Sequence, residues 1–286
     1  TDMLMLVAPA KINLFLHVVG KRSDGYHLLE SVFAFTEKGD RLFLEPSRGG
    51  FTFELTGPFA GALDSDNDSD NLVTKAAMLF ASAAGKSLDV KLTLEKNLPV
   101  ASGIGGGSAD AATTLKALNG FWQLGWDTAR LEALSIQLGA DVPACLHDHP
   151  IYVEGIGETI TTGVSYSGPK HILLVNPMTG VSTPAVFKEF AKLSHFDQKT
   201  ANCLDQKTAN CFLSLDENLL KQTRNSLQIS AQILCSEIGD VLQILEKQEA
   251  ARIVRMAGRG ATGCAWGDSQ TECEKAREYV QGVQPG

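Results

Sequence analysis

The sequence predicts an α+β fold in two parts, and three observations carry that prediction. Apolar and polar residues alternate in several strand-length runs over the first hundred residues. Capped stretches with helical spacing fill much of the remainder, and a strand, glycine loop and strand follow one another near the C-terminus. The chain of 286 residues is 44% hydrophobic and 20% charged, enough for one large or two medium domains. Its net charge is −8 with no block of Lys and Arg, which argues against nucleic acid or anionic membrane held by a basic face. No apolar run reaches the roughly 18 residues of a membrane span, and the N-terminus lacks the sections of a signal peptide. Six Cys are scattered without a C-x-x-C pair, which fits reduced thiols, so a cytoplasmic protein is expected.

Met3 to Val19 reads as a strand interrupted at Pro9. From Lys11 the period is two: Ile12, Leu14, Leu16 and Val18 share one face, and Lys11, Asn13, Phe15 and His17 the other. Lys11 among so many apolar residues is either an edge lysine reaching water or a cation aimed into a cleft; the sequence leaves both open. Gly20 to Gly25 is a turn, and Leu28 to Phe35, Arg41 to Glu45, Phe51 to Leu55 and Val90 to Glu95 are strands. Asp64 to Asp70 is a solvated loop, because it lacks the Gly and the Glu that a calcium loop requires. Asn71 caps a helix to Ala84, with Leu72, Ala76, Leu79, Phe80 and Ala83 inward.

Lys96 to Trp122 then reads as strand end, glycine loop and helix. Gly103, Gly105, Gly106 and Gly107 let the backbone turn and approach a ligand, and Ser108 is read as the N-cap of a helix with Ala111, Leu115, Leu118 and Trp122 on one face. Such a loop at a helix N-terminus suits an anion, phosphate above all. It matches neither the dinucleotide G-x-G-x-x-G, since Ser108 stands where Gly is needed, nor a Walker A.

Asp127 caps a further helix with Leu131, Leu134 and Leu138 on one stripe and Gly139 past its end. Asp141 follows on a segment that Pro143 constrains; alone it is an ordinary turn residue, and it gains interest only beside Lys11 or the glycine loop. His147 and His149 read as a polar turn. Ile151 to Val153 is a strand, Ser165 to Lys170 a join, and His171 to Asn176 a strand. Thr183-Pro184 opens a helix to Lys192. Asp197 to Leu204 and Asp205 to Phe212 are identical in seven of eight positions, a local duplication to which no function attaches. Helices over 217–225, 227–238 and 240–248, strand 251–256, a second glycine loop at Gly258 to Gly263, strand 264–267 and helix 270–281 complete the chain. One cut near residue 165 gives an N-terminal part, 1–165, and a C-terminal α+β part, 166–286.

Four stretches resemble the GHMP small-molecule kinases: Pro9 to Leu16 with Asp24-Gly-Tyr-His27, Leu98 to Ala112, Leu138 to Pro143, and Met256 to Thr262. The resemblance runs from about Ala8 to Glu278. It implies a two-lobed fold with the active site in the cleft between lobes, the N-terminal part binding ATP and the C-terminal part on the substrate side. It implies Lys11 and Asp141 as catalytic residues, and Asn71, Lys96, Pro99, Gly103, Ile104, Gly105, Gly106, Gly107 and Ser108 as the ATP site. Asn13, Tyr26, His27, Thr183 and Phe187 match positions for a cytidine-diphosphate-linked methylerythritol, phosphorylated on its 2-hydroxyl. ATP and Mg²⁺ are the implied cofactors, with Ser108 the candidate metal ligand, in a monomer or homodimer.

That residue set makes chemical sense, because a carboxylate can take the hydroxyl proton while an ammonium steadies the developing alkoxide. Within the family a homoserine, mevalonate or sugar kinase is the alternative, and outside it a non-catalytic nucleotide-binding regulator. The chain departs from the family pattern at Ala257 and Arg259, where Ser is usual, and at Ser226, where Asp is usual.

Overall fold

The computed structural model describes residues 3–63, 71–100, 102–193, 195–199 and 213–282. Both the acidic loop at 64–70 and most of the duplicated segment thus lie outside the described residues. The elements are β1 (Leu4–Lys21), β2 (His27–Pro46), β3 (Thr52–Thr56), α1 (Leu72–Ala84), β4 (Val90–Glu95), α2 (Gly106–Phe121) and α3 (Thr128–Ser135). Then come β5 (Ile151–Gly155), β6 (Thr159–Thr161), β7 (Val164–Tyr166), β8 (His171–Val175), α4 (Thr183–Leu193) and β9 (Leu213–Leu215). The chain closes with α5 (Glu217–Gln222), α6 (Gln228–Leu234), α7 (Ser236–Glu246), β10 (Ile253–Met256), β11 (Gly263–Gly267) and α8 (Gln270–Gly282).

Packing divides these elements into two compact units, each built from discontinuous stretches. Unit one holds residues 1–11, 34–101 and 105–149, and unit two holds 12–33, 102–104 and 150–286. The cut near residue 165 divides chain order, whereas packing runs across it, since β1 and β2 contribute residues to both units.

In unit one, β3 pairs in parallel with β4, and β4 pairs antiparallel with the second half of β2, from Arg41 opposite Glu95 to Pro46 opposite Val90. Leu42 and Leu44 of β2 and Leu92 and Leu94 of β4 bury against Phe80 of α1 and Leu115 and Leu118 of α2. Phe80 stacks on Trp122 at 5.9 Å and meets Trp126 at 4.8 Å. The Asn71 side chain accepts the Val73 N–H, as the capping pattern requires. The buried stripe of α1 is rotated from the expected one: Val73 and Ala77 are buried and Ala83 is exposed, because the helix packs on α2 as well as on the sheet.

β1 is unbroken at Pro9, contrary to the expected interruption. The next amide, that of Ala10, donates to Thr36 Oγ1, so a side chain supplies an acceptor beside the residue that has no N–H. The separate strands expected at 28–35 and 41–45 are one strand, β2. Gly39 makes this continuity sterically accessible, because a Cβ there would lie 1.9 Å from the Ala8 carbonyl oxygen.

In unit two, the first half of β2 pairs antiparallel with β5 and β5 with β6. A second antiparallel sheet runs β10-β11-β8, and β7 pairs in parallel with β9. β7 therefore occupies the start of the expected Ser165–Lys170 join. The stretch Ile12 to Val18 is buried on both faces. Leu16 and Val18 pack with Val186, Leu227, Ala231 and Ile238. On the other parity His17 meets buried Glu30, which also accepts the Tyr152 hydroxyl at 2.8 Å. The helices expected over 217–225 and 227–238 stop earlier, at Gln222 and Leu234, where Thr223 and Cys235 turn to extended backbone.

Candidate functional site

Four glycines in five positions raise the question of which conformation needs each. Gly105 has φ +67° and caps α2, and a Cβ there would come within 3.1 Å of Lys11 Cβ and 3.2 Å of its Cε. A left-handed cap that lets the backbone lie on the Lys11 stem is a position for glycine alone. It starts α2 at Gly106, so Ser108 is not the N-cap but sits half-buried within the first turn. Lys11 is buried, and its Nζ stands 3.7 Å from Asp141 Oδ2. Unit one therefore brings together Lys11, Asp141 and the head of α2, the condition under which an otherwise ordinary turn aspartate becomes interesting. Cys145, whose amide donates to the Asp141 carbonyl at 3.3 Å, is an inert neutral thiol there, pushed up to about 12 by burial.

Lys96 has a different setting from that of a side chain open to nucleotide. Its residue is 2% exposed, and its Nζ donates to Asp110 Oδ2 at 2.8 Å and to Asp40 Oδ2 at a shorter separation. Asp40 Oδ1 in turn accepts the N–H groups of Asn97 and Leu98, at 2.6 and 2.8 Å. A Cβ on Gly106 would lie 3.4 Å from Lys96 Nζ, so this buried triad sits directly behind the loop. Burial would lower the Lys96 ammonium, but Asp110 and Asp40 outweigh it and hold it raised. Burial pushes the Asp110 carboxyl up to about 8, against Lys96 and with the help of Asp40. Asp40 and Asp110 were missed in the sequence, though a signal existed. Asp40 shares parity with buried Leu42 and Leu44, and Asp110 lies one and two turns before buried Thr114 and Leu118. Asn71 serves as the α1 cap, and Pro99 is half-buried after β4.

In unit two Gly103, at φ +77°, lies against the second glycine loop: a Cβ on it would be 2.3 Å from the Gly260 carbonyl oxygen. Thr262 Oγ1 donates to the Ser102 carbonyl at 2.6 Å, and Asn225 Nδ2 donates to the carbonyls of Met256 and Gly258 at 2.9 and 2.7 Å. The second loop thus buttresses Ser102 to Ile104, a role no spacing in the sequence displays. Ser226, which replaces the family's Asp, accepts the Val18 N–H at 2.9 Å and donates to Asp197, so a carboxylate still stands one hydroxyl away from that amide.

Asn13 Nδ2 donates to Ser31 Oγ at 2.9 Å, and the Ser31 hydroxyl is spent on the Phe15 carbonyl. That chain fixes the amide orientation, and it leaves Asn13 Oδ1 buried with no donor among the described residues. His27 and Phe187 stack at 5.1 Å, with Phe190 edge-on to His27 at 5.7 Å. Burial, then Lys21, holds His27 below its ordinary pKa, which keeps the ring neutral for stacking. Arg259 lies 5.9 Å over the Phe187 ring instead of crowding its own loop. Thr183 opens α4 one turn before Phe187. Tyr26 is 61% exposed and, among the described residues, its ring meets neither His27 nor Phe187.

Residues 71–149 match the GHMP kinases N terminal domain. The chain is 44% identical to the 4-diphosphocytidyl-2-C-methyl-D-erythritol kinase of Chelativorans sp. (strain BNC1), over 99% of this chain and 93% of that protein. It is 42% identical to the enzyme of the same name from Paracoccus denitrificans (strain Pd 1222), over 98% of this chain and 92% of that one. A crystal structure of 4-(cytidine 5'-diphospho)-2C-methyl-D-erythritol kinase superposes with a TM-score of 0.78 at 29% identity, covering 98% of this chain and 96% of that one. The L. major mevalonate kinase shares the fold at a TM-score of 0.69 and 15% identity, over 100% and 93% of the two chains.

Proposed function

This chain belongs to the 4-diphosphocytidyl-2-C-methyl-D-erythritol kinase family of the GHMP kinases, and we propose that it transfers the γ-phosphoryl group of ATP to the 2-hydroxyl of 4-diphosphocytidyl-2-C-methyl-D-erythritol. The observation that carries the site assignment is the Lys11–Asp141 pair at 3.7 Å with Gly105 packed on the Lys11 stem. In this reading Asp141 accepts the hydroxyl proton as the oxygen bonds to the γ-phosphorus and the bond to the β-phosphate oxygen breaks, releasing ADP. The Lys11 ammonium balances the charge that develops on the attacking oxygen. Amides at the head of α2, over Gly105 to Ser108, cradle phosphate in this reading. Lys96 supports the cradle from behind through Asp40 and Asp110.

Asn13 contributes the orphaned Oδ1 as an acceptor for the substrate, His27 and Phe187 offer aromatic faces for cytosine, and Tyr26 and Thr183 complete the proposed substrate set. Mg²⁺ accompanies ATP in this reading. The Ser108 hydroxyl, in the first turn of α2, would hold it, with phosphate oxygens and water as the remaining ligands, a donor set that suits this ion. Bound there, Mg²⁺ supplies neutralisation of phosphate charge. Residues 1–165 carry ATP binding and catalysis, and residues 166–286 add Thr183 and Phe187 on the substrate side. A cytoplasmic setting is supported by Cys145, Cys235 and Cys264, which are buried free thiols.

The test is Asp141→Asn. Turnover falls at least about a thousandfold, the scale of losing a positioned base, while ATP binding measured by calorimetry persists. Near-wild-type turnover would sink the assignment of Asp141. A panel of homoserine, mevalonate and sugars with ATP tests the acceptor, and only the cytidine-diphosphate-linked alcohol is expected to be consumed.

A further inference from the structure

A cavity of about 390 Å³ opens in unit two between the chain that joins α5 to α6 and the start of β10. Four of its lining residues are cations, Lys221, Arg224, Arg252 and Arg255, and none is a carboxylate. This is an unusual wall in a chain of net charge −8. Lys221, Arg224 and Arg252 are about half exposed and pair with Glu217, Asp197 and Asp268, at 2.6, 2.8 and 2.5 Å. Those carboxylates lie outside the lining. Lys221 and Arg252 sit in solvent-exposed pairs that are held weakly, so these two cations can turn to an incoming anion at small cost, whereas Arg224 is fixed on Asp197 through both Nε and Nη2.

Arg255 is of another kind. It is 6% exposed, and its guanidinium donates to the carbonyls of Leu14 and Leu220 and to Thr223 Oγ1, each at about 3 Å. All three acceptors are neutral. Among the described residues no carboxylate pairs with it, and two of its five N–H groups, Nε–H and one on Nη2, have no acceptor. Burial pulls its pKa down to about 10, which leaves it charged at neutral pH. A buried cation without a counter-charge is costly, and an anion in the adjoining cavity relieves that cost.

We propose that this cavity binds a small phosphorylated organic anion, its phosphate taken by Arg255 with the rim cations and its apolar body laid on Ile229. Several cations converging on one space suit a dianionic phosphate better than a single carboxylate, and arginine forks match phosphate oxygens. Ile229, 59% exposed on the same lining, supplies the apolar surface. The volume falls at the small end of the range of about 300–1,000 Å³ for small-molecule sites.

The experiment titrates the full-length, ¹⁵N-labelled chain with n-butyl phosphate and, separately, with inorganic phosphate, following the Arg255 Nε–H resonance and the amides of 221–228. Saturable shifts at both are expected below about 10 mM, with n-butyl phosphate binding more tightly because of Ile229. The double variant Lys221→Ala/Arg252→Ala removes two exposed rim cations outside the proposed catalytic machinery. It is expected to weaken binding about fivefold, the sum of two weak charge contacts, without loss of the folded spectrum. No saturable shift, shifts confined to the amides of 103–108, or equal affinity in the double variant overturns the proposal; equal binding of the two probes overturns its apolar half.

Discussion

Lys96→Met tests the load carried by the buried triad. The wild-type ammonium makes two charge-assisted bonds, to Asp40 and Asp110, in a place where all three residues are almost fully buried. Bonds to charged groups contribute about 1.5–3 kcal/mol each, so their loss alone costs about 3–6 kcal/mol. Two terms offset part of that. The Met side chain fills most of the vacated volume and gains about 1–2 kcal/mol from apolar burial. Asp40 also keeps the Asn97 and Leu98 amides as donors. A net destabilisation of about 3 kcal/mol is expected, in line with breaking a buried pair from one side. Urea unfolding at pH 7, followed by tryptophan fluorescence, to which Trp122 and Trp126 in unit one contribute, measures it. Because Gly106 lies over Lys96 Nζ, the Michaelis constant for ATP should rise in the same variant. A loss under about 1 kcal/mol with unchanged ATP kinetics would refute both the energetics and the supporting role.

Asp110 also gives stability a pH dependence of definite sign. Its folded-state pKa, about 8, lies above the ordinary carboxylate value, so the folded chain binds the extra proton between them. Its contribution is complete at acid pH below that ordinary value and is lost as pH rises towards 8, and Asp110→Asn should flatten this slope in urea titrations. Gly105→Ala places a Cβ against the Lys11 stem at a left-handed φ, so a stability loss of about 1–2 kcal/mol should accompany a drop in turnover of tenfold or more; a full-rate variant would mean that Lys11 need not be held there. Asn13→Ala removes a buried oxygen with no donor among the described residues and one hydrogen bond to Ser31, so the free chain should lose about 1 kcal/mol, whereas the Michaelis constant for the acceptor alcohol should rise about tenfold in steady-state assays.

Local chemistry made much of this protein legible in its sequence. Asn71 and Asp127 cap helices through their own side chains, and each accepts the amide that the pattern assigns to it. Period-two spacing located β3 and β4 within a residue, and the apolar spacing after the glycines fixed the buried face of α2. The four glycines marked a backbone that must turn and be approached closely, and Gly103 and Gly105 do both. These features depend on bonds and contacts within a few residues, so the order of residue types determines them.

What only the tertiary structure decided depends on neighbours far along the chain. Nothing near Pro9 announces that Thr36 will receive the next amide, or that Gly39 will let β2 run through a polar stretch that reads as a break. Lys11 was undecided between water and a cleft until the fold brought Asp141, 130 positions later in the numbering, to 3.7 Å. Lys96 looked available to a nucleotide until Asp40 and Asp110 closed on it from two other elements. A charged side chain's role is set by which opposite charge shares its low-dielectric surroundings, and that is a property of packing, not of sequence order.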